Sequence, residues 1–563
     1  MTTAATTKPE RPKGLRLLWL ALQNRKSAMM LAFGFSSGLP FALLVGTLTA
    51  WLGEVGVKLA MIGVFSWIGL SYSFKFIWSP VVDRVRLPGL ERLGRRKSWI
   101  ALCQALILVS LAGISFTDPV NSIGSFVGFA FIGALASATH DIAIDGWRID
   151  VADDDVPIEL LSAIYQFGYR TASIVGGAIA LVMASHMSWA EVYLAMAAVV
   201  AVLIALTLAA PDTPRPQRQI LQGALAEPGA LKPHTRAVCL GVVGLSWLWA
   251  IWRIASFAVS MLNEAAPGEA PPSVADFTRI WGPWILLATV FLPLAVAAFS
   301  NWLKTRPDQV LARHDPVHST ARTVANHLYS ALVAPLAELA GRLKIGVLIV
   351  LGFILTYAIC YNIWASFAYP FYLDELKYTK EEVAFASKIF GIVMTMLGIS
   401  LGGYLFTRIG RFPTIMLGAV LPPLGNFLYA DLAEGGHTID AFSHLLRLDS
   451  LAASLGSDGR MTRLLLAICY ENVATGLALT AFVAYVSGIV SKRYGAIQYA
   501  LLSSLLSLVG TLGRGAVGEA FDLYGYAPVF RVTAATALIS VLFVSLEWLR
   551  VSREKRVSPE SVD

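Results

Sequence analysis

WAEVYLAMAAVVAVLIALTLAA, residues 189–210, is a stretch of 22 residues in which Glu191 is the only charge. About 20 mostly apolar residues give a helix long enough to cross the hydrocarbon core of a bilayer. The same reading recurs at 28–52, 60–82, 99–116, 123–147 and 158–185 before this stretch. After it come 236–262 and 278–300, then 343–371, 383–406, 411–431, 463–490, 496–520 and 527–549. Fourteen candidate spans therefore fall into groups of six, two and six. The chain as a whole is 56% hydrophobic and only 14% charged, with mean hydropathy +0.64, whereas a soluble domain carries about 25% charged residues. So much apolar side chain calls for a lipid solvent, and the expected fold class is an all-α polytopic membrane protein.

Charge tests the span count, because Lys and Arg concentrate in cytoplasmic loops. With the N-terminus inside, the outside segments hold only Lys58, Lys377, Lys380, Arg447 and Arg460 of the 44 Lys and Arg residues. The loops at 117–122, 186–188, 263–277 and 521–526 hold none. This alternation lasts the whole chain, which predicts an even number of spans with both termini cytoplasmic. It also accounts for the net charge of +7 without nucleic-acid binding. Residues 1–27 are polar and basic and the first apolar span is long, so that span reads as a retained helix and not as a signal peptide. The four cysteines, Cys103, Cys239, Cys360 and Cys469, all lie in spans and match neither a disulfide framework nor a zinc site.

The expected organisation is a cytoplasmic segment 1–27, a six-helix half 28–210, a linker 211–301 with two extra transmembrane helices, a cytoplasmic linker 302–342, a second six-helix half 343–549 and a tail 550–563. Within the second linker, Leu328, Leu332, Leu336 and Leu339 recur at steps of four, four and three, which suits an amphipathic surface helix. Pro335 interrupts it; a plain covalent linker is the equal alternative. Segment 432–462, with Phe442, Leu445, Leu446 and Leu448, reads either as a short surface helix or as a lid.

The two halves share a loop pattern. Pro80, Asp83 and Arg84 lead to Gly94-Arg95-Arg96-Lys97 in the first; at the matching place in the second, Gly403 is followed by Thr407, Arg408, Gly410 and Arg411. The pair resembles the cytoplasmic loop signature G-x-x-x-D-R-x-G-R of the major facilitator superfamily, stretched in its first copy and lacking the acid in its second. That resemblance implies two pseudo-symmetric six-helix halves with the substrate site at the midplane between them. Asp83, Arg84, Gly94, Arg95, Gly403, Arg408, Gly410 and Arg411 are then gate residues.

Ionisable groups at membrane depth cost at least a few kcal/mol each and are functional candidates. The densest group is Ala138-Thr139-His140-Asp141-Ile142-Ala143-Ile144-Asp145-Gly146-Trp147-Arg148. Asp141, Asp145 and Arg148 share nearly one helix face, with Asp141 about 10 Å deeper than Arg148 at a rise of ~1.5 Å per residue. Two carboxylates that close cannot both ionise cheaply in a low-dielectric site, so one of them is suited to taking up and releasing a proton. For Asp145 a structural role, neutralised by Arg148 in a gate lock, stands level with a proton role. For the deeper Asp141 coupling or substrate contact is favoured. Lys75, Arg170 and Lys388 are cations placed to meet an anionic solute, Arg514 suits a structural or gate role, and Glu471 and Glu519 are possible partners for these cations. Lys75 and Arg170 pair equally well with the two acids. Tyr72, Trp78, Tyr165 and Tyr169 lie near them in sequence, and rings stack on sugar faces. Arg253 and Arg279 suit orientation or lipid headgroups.

The chain holds no P-loop or H-E-x-x-H pattern and no cysteine cluster, so no enzyme, cofactor or metal is expected. Uphill transport without a nucleotide site draws on an ion gradient. One proton crossing about 100 mV supplies roughly 2.3 kcal/mol.

Longer motifs carry a closer resemblance. Phe35-Ser36-Ser37-Gly38-Leu39-Pro40, Gly69-Leu70-Ser71-Tyr72, Lys75-Phe76-Ile77-Trp78-Ser79-Pro80 and the segment around Asp141 resemble the AmpG-type muropeptide permeases. Gly168-Tyr169-Arg170, Lys388-Ile389-Phe390-Gly391, Glu471-Asn472 and Gln498-Tyr499-Ala500-Leu501-Leu502-Ser503-Ser504 match as well. The resemblance implies proton-driven import, across the bacterial inner membrane, of N-acetylglucosamine–anhydro-N-acetylmuramic acid with or without its peptide. It also implies a monomer, fourteen spans and an indirect role in β-lactamase induction. It offers Asp141, Asp145 and Glu471 as proton-coupling candidates. Lys75, Arg170, Lys388 and Asn472 are offered for the substrate, joined by Tyr72, Tyr165, Tyr169, Gln498 and Tyr361. Two features depart from the family: His140 stands where Gln is usual, and Ala358 and Tyr361 replace a Lys and an Asp. The competing cargoes are other large anions, such as a siderophore, another sugar-peptide or a CoA thioester. A muropeptide receptor that does not transport is the more distant rival.

Overall fold

The computed structural model describes residues 23–55, 72, 74–211, 230–262, 274–311, 320–357, 359–454 and 458–557. Among these the regular structure is helical apart from one antiparallel bridge between Leu231 and Val310. The first set of helices comprises α1 (Arg25–Leu52), α2 (Ser79–Arg84, the end of the second expected span), α3 (Arg95–Ser115), α4 (Ile123–Val151), α5 (Ile158–Ala184) and α6 (Trp189–Leu208). Next come α7 (Pro233–Leu262) and α8 (Arg279–Leu303), then two short linker helices, α9 (Thr320–Leu332) and α10 (Ala334–Leu343). The last set is α11 (Gly346–Tyr357, continuing as Ile359–Pro370), α12 (Glu381–Ile409), α13 (Arg411–Ala433), α14 (His437–Leu445), α15 (Gly459–Ile489), α16 (Gly495–Tyr524) and α17 (Tyr526–Glu554).

Eleven of the described helices are long and apolar enough to cross a membrane, or twelve if the bent pair α10 and α11 counts as one span. The protein is therefore a multi-pass membrane protein, and the count among the described residues stops short of the fourteen expected. Span 60–82 falls largely outside the description, and α16 and α11 occupy the places expected for 496–520 and 343–371. The quoted stretch 189–210 forms α6 as read. Ser188 accepts from the Glu191 backbone while the Glu191 carboxylate accepts from the Ser188 N–H, a capping box that fixes where α6 starts. Its outward side chains, such as Val202 and Leu208, are exposed, as a lipid-facing surface requires.

Two sets of contacts repeat. In the first set α1 packs on α5, and α3 packs on α4 and α6; in the last set α11 packs on α16, and α13 packs on α15 and α17. Close approach relies on glycine. A Cβ at Gly34 of α1 would stand 2.2 Å from the Tyr165 carbonyl of α5, and one at Gly476 of α15 would stand 2.3 Å from the Thr395 carbonyl of α12. The two gate loops match too: Gly94 and Gly410 each precede the first residue of a helix, α3 and α13, at φ +78° and +90°. L-residues rarely adopt that backbone, which explains why the pattern places glycine there in both halves.

The halves meet through α5 with α12 and α15, through α4 with α16, and through α2 with α16. Several of these contacts lie at the end that carries Asp83, Arg95, Arg148 and Arg411, called the basic end below. There Arg411 donates to Glu159 at 2.9 Å, and a Cβ at Gly495 would meet Ile149 at 3.1 Å. Toward the other end, α1, α5 and α12 each widen into a π segment, at Ala42–Thr47, Ile174–Ile179 and Ala384–Phe390. The first and third of these both pack against the second.

The extra pair is placed along one seam between the halves. Trp247 of α7 donates to the Thr289 carbonyl within the pair, and its ring meets Phe76 of the second span edge-on at 5.6 Å. Arg279 of α8 reaches Glu519 of α16 at 3.3 Å. At the base of the pair, Lys232 donates to the Gln309 carbonyl and Leu311 donates to the Ala230 carbonyl. The following linker is helical, with Pro335 in the first turn of α10, where a missing N–H costs nothing. Leu336 and Leu339 are buried while Leu328 is exposed, and the axis turns by 103° into α11. Segment 432–462 holds α14 and a further short helix at Leu448–Ser454. Asp440 anchors α14 to Arg463 through two bonds of 2.6 and 2.7 Å, while Phe442, Leu445 and Leu446 stay exposed.

Candidate functional site

From Ala136 to Val151 nearly every side chain of α4 is buried, which brings its charges into the protein interior. The four-residue step puts Asp141 and Asp145 on one face, and Lys75, in a single 3-10 turn of the second span, lies between them. Its Nζ is 3.7 Å from Asp141 Oδ2 and 3.7 Å from Asp145 Oδ2. Those distances are ionic contacts, longer than hydrogen bonds. Ser37 of α1 donates to Asp141 Oδ1 at 2.5 Å and shares a 2.8 Å bond with the Tyr165 hydroxyl of α5. Four elements of the first half thus converge on Asp141.

Asp145 differs. Besides Lys75 it holds Arg148, whose Nη2 is 3.0 Å from Oδ1. The Arg148 side chain is wholly buried and leaves its own half: Nη2 also donates to Ser487 Oγ of α15 at 3.2 Å. Its guanidinium lies 5.0 Å from the Tyr165 ring centre and 4.9 Å from that of Tyr499 in α16. Lys75, Arg148, Asp141 and Asp145 together carry two charges of each sign, so the buried cluster is neutral when all four are ionised. Arg148 and Asp145 thus stand paired, which is the contact that the lock reading of Arg148 requires. Asp83, the acid of the first gate loop, is held by Arg96 at 2.8 Å. Arg96 also donates to Asp150 at 2.9 Å, lying over Gly146, where any Cβ would come within 2.5 Å of the guanidinium.

The aromatic candidates gather beside this cluster. Tyr72 and Tyr169 both flank Phe41, at 5.0 and 6.2 Å, and Tyr165 stands 6.3 Å from Tyr169. Tyr361, from the second half, lies close enough to Tyr169 to interact electrostatically with it. Arg170 is half-buried on α5, and its Nε has no partner. Trp78 donates to Thr139 at 3.0 Å.

Other candidates sit elsewhere. Gln498, proposed for the substrate, is fully buried and engaged with the linker. Its Nε2 donates to the Pro335 carbonyl and to Glu338, and its Oε1 accepts from the Ser491 N–H. Both ends of the amide are occupied, so Gln498 is a fastening of α16 to α10. Asn472 bonds Thr395 and the Ile468 carbonyl, joining α15 to α12. Gly403 lies on α12, inside the expected span, and meets α5, where its Cβ would stand 2.8 Å from that of Ala163. Arg408 is exposed, and Arg253 stacks on Trp281 at 3.5 Å. The side chains of Arg84, Lys388 and Arg514, and residue Ala358, lie outside the described residues; Lys388 falls in the π segment of α12. Sequence reasoning gave no role to Ser37, Ser487 or Tyr499. Ser36-Ser37, an adjacent polar pair in an apolar span, was the available signal for the first. Ser487 and Tyr499 had none, because each acquires its role only through the packing of the second half on α4.

Comparisons with known proteins agree with this architecture. Residues 27–442 match the Major Facilitator Superfamily. The anhydromuropeptide permease of Escherichia coli K12 is 27% identical over 539 residues, 94% of this chain and 82% of that protein. A Rickettsia conorii protein named as transporter AmpG 4 is 27% identical over 509 residues, 90% of this chain and 92% of that one. The human organic anion transporter MFSD10 superposes with a TM-score of 0.54 at 13% identity, covering 92% of this chain and 99% of that chain. The transporter FucP gives 0.53 at 12% identity, covering 92% and 98%. The AmpG-type resemblance read from the motifs thus extends over nine-tenths of the chain. Repeated helix contacts, paired gate glycines and the match across residues 27–442 lead to one conclusion: this chain belongs to the Major Facilitator Superfamily of transporters.

Proposed function

We propose that the protein is a proton-driven importer of anhydro-muropeptides, working by alternating access in the bacterial inner membrane with both termini cytoplasmic. The observation that carries the coupling is the sharing of Lys75 between Asp141 and Asp145, with Asp145 also bound to Arg148 and Arg148 bound to the other half. A proton arriving on Asp141 removes one of the two negative charges that hold Lys75. Lys75 then moves toward Asp145 and competes with Arg148 for it. That loosens the hold of Asp145 on the guanidinium, which then no longer stays aimed at Ser487 and Tyr499 of the other half, and the basic end, cytoplasmic in this reading, opens. Protonation on one side is thereby linked to opening on the other.

The cargo assignment rests on the permeases similar to this chain, together with the tyrosines beside the cluster and the cation Arg170. Rings suit sugar faces, and a half-buried guanidinium with an unpartnered Nε suits a carboxylate or lactyl group. Tyr361, in place of a family acid, leaves this face of the site neutral.

The test is uptake of labelled anhydro-disaccharide and disaccharide-peptide into proteoliposomes under an imposed inward proton gradient. Uptake should collapse with a protonophore and in Asp141→Asn, while binding to the variant persists. Binding with no uptake in tight vesicles would make the protein a receptor. Uptake of another large anion, but neither sugar, would keep the machine and reject the cargo.

A further inference from the structure

Five carboxylates among the described residues are buried: Asp83, Asp141, Asp145, Glu471 and Glu547. Four have a cation within 4 Å. Asp83 has Arg96, Asp141 has Lys75, Asp145 has Lys75 and Arg148, and Glu547 has Arg550 at 2.7 Å. Glu471 is the exception. Near the middle of α15, its side chain is 1% exposed; Oε1 accepts from Thr475 at 2.8 Å, and Oε2 has no partner. An ionised carboxylate buried without a cation and with one acceptor site unfilled costs several kcal/mol.

The surroundings are built around this group. Oε2 points at Gly425 of α13, where a Cβ would stand 2.7 Å away. Pro422 and Pro423 lie just before it in the same helix, where each removes a backbone N–H. The neighbouring Asn426 is fully buried; its Nδ2 donates to Thr533 at 3.0 Å and its Oδ1 has no partner. Among the described residues, the titratable groups facing Glu471 are Cys360 of α11, Tyr429 of α13 and Tyr470 of its own helix. Tyr429 is tied to Tyr372, and Tyr470 donates to the Leu421 carbonyl. None of these is a cation.

We propose that Glu471 is a second proton-binding site, housed in the second half, so that the carrier moves two protons with each cargo, one on each half. The proposal rests on the reading that transport is proton-coupled, and extends it to the stoichiometry. In the conformation described, Glu471 holds its proton as an O–H. The helix that carries it is also the one that Arg148 grips at Ser487, 16 residues on, or about 24 Å along the axis. Release of that grip frees α15 to move against α13 and brings the Glu471 carboxyl to water, where the proton leaves.

Infrared spectroscopy of the purified full-length protein in lipid nanodiscs tests the site without any cargo. Wild type should show the C=O stretch of a protonated carboxyl near neutral pH. That band should be absent in Glu471→Gln, retained in Asp141→Asn and displaced in frequency in Gly425→Ala, which presses a methyl on the group. A band unchanged in Glu471→Gln overturns the proposal. Accumulation then tests the stoichiometry. With the membrane potential clamped at zero, two protons concentrate labelled anhydro-disaccharide about 100-fold per unit of pH difference and one proton about tenfold. The expectation is about 100-fold for wild type, falling to about tenfold in Glu471→Gln. Equal accumulation of tenfold by both overturns the second site while leaving coupling intact. No accumulation by wild type rejects the proton-coupled function instead, and the infrared band still decides whether Glu471 holds a proton.

Discussion

Replacing Arg148 by Met, which keeps an unbranched apolar stem in the same space, should tip the protein toward opening at its basic end. Only contacts that cross between the halves count. The pairing with Asp145 and the stacking on Tyr165 stay within the first half and persist through a rigid-body motion. Two contacts cross: the hydrogen bond from the charged guanidinium to Ser487 at 3.2 Å and the stacking on Tyr499 at 4.9 Å. The first contributes about 1.5 kcal/mol, the low end for a charged donor, and the second about 1.5 kcal/mol for a desolvated cation over a ring. Their sum of about 3 kcal/mol corresponds to roughly a 100-fold change in the equilibrium. A closed state favoured about 99 to 1 would become about evenly populated. Spin labels at the exposed positions Asp155 and Lys492, on loops flanking the contact from either half, report this by pulsed electron resonance. The distance distribution should gain a longer component in Arg148→Met and a smaller one in Arg148→Lys, which keeps the charge but loses the planar fork. An unchanged distribution in a folded Arg148→Met protein would refute the reasoning.

Gly403→Leu puts a branched side chain where even a Cβ lies 2.8 Å from Ala163; the same label pair should show a wider basic end, with thermal stability little changed. Gly410→Ala forces an L-residue to φ +90° and should lower stability by about 1–2 kcal/mol, seen as a lower melting temperature, and Gly94→Ala should do likewise. Gln498→Ala removes the fastening of α16 to α10. It should speed proteolytic cleavage in 302–342 while leaving cargo affinity unchanged; weaker cargo binding at an unchanged cleavage rate would restore Gln498 to the substrate site.

The membrane class, the order of helices and the Asp141–Asp145–Arg148 face were legible because each depends on local sequence: apolar length, charge alternation and a four-residue step. The loop glycines were legible for the same reason, since Gly94 and Gly410 answer a local demand for positive φ. The contact that Gly403 makes was not legible, because its constraint is a neighbouring helix, which motif spacing cannot reveal. Lys75 was left between two readings, ligand contact and ion pair, and the structure places it between the two acids. Gln498 sat in a motif with Tyr499, yet the two side chains serve different ends, one holding the linker and the other stacking on Arg148. One-residue spacing on a helix separates faces by about 100°, so a motif that reads as one unit can act in two places.

The two backbone bonds joining residues 230–232 to 309–311 have a mechanical consequence. The polypeptide leaves for α7 and returns from α8 at the same point, so the roughly eighty residues between add almost nothing to the reach of the tether that joins the two halves. A tether shortened in this way keeps the effective concentration of the two halves high. A hairpin closed at its root is also a module that a lineage can acquire or lose without retying the ends of the machine.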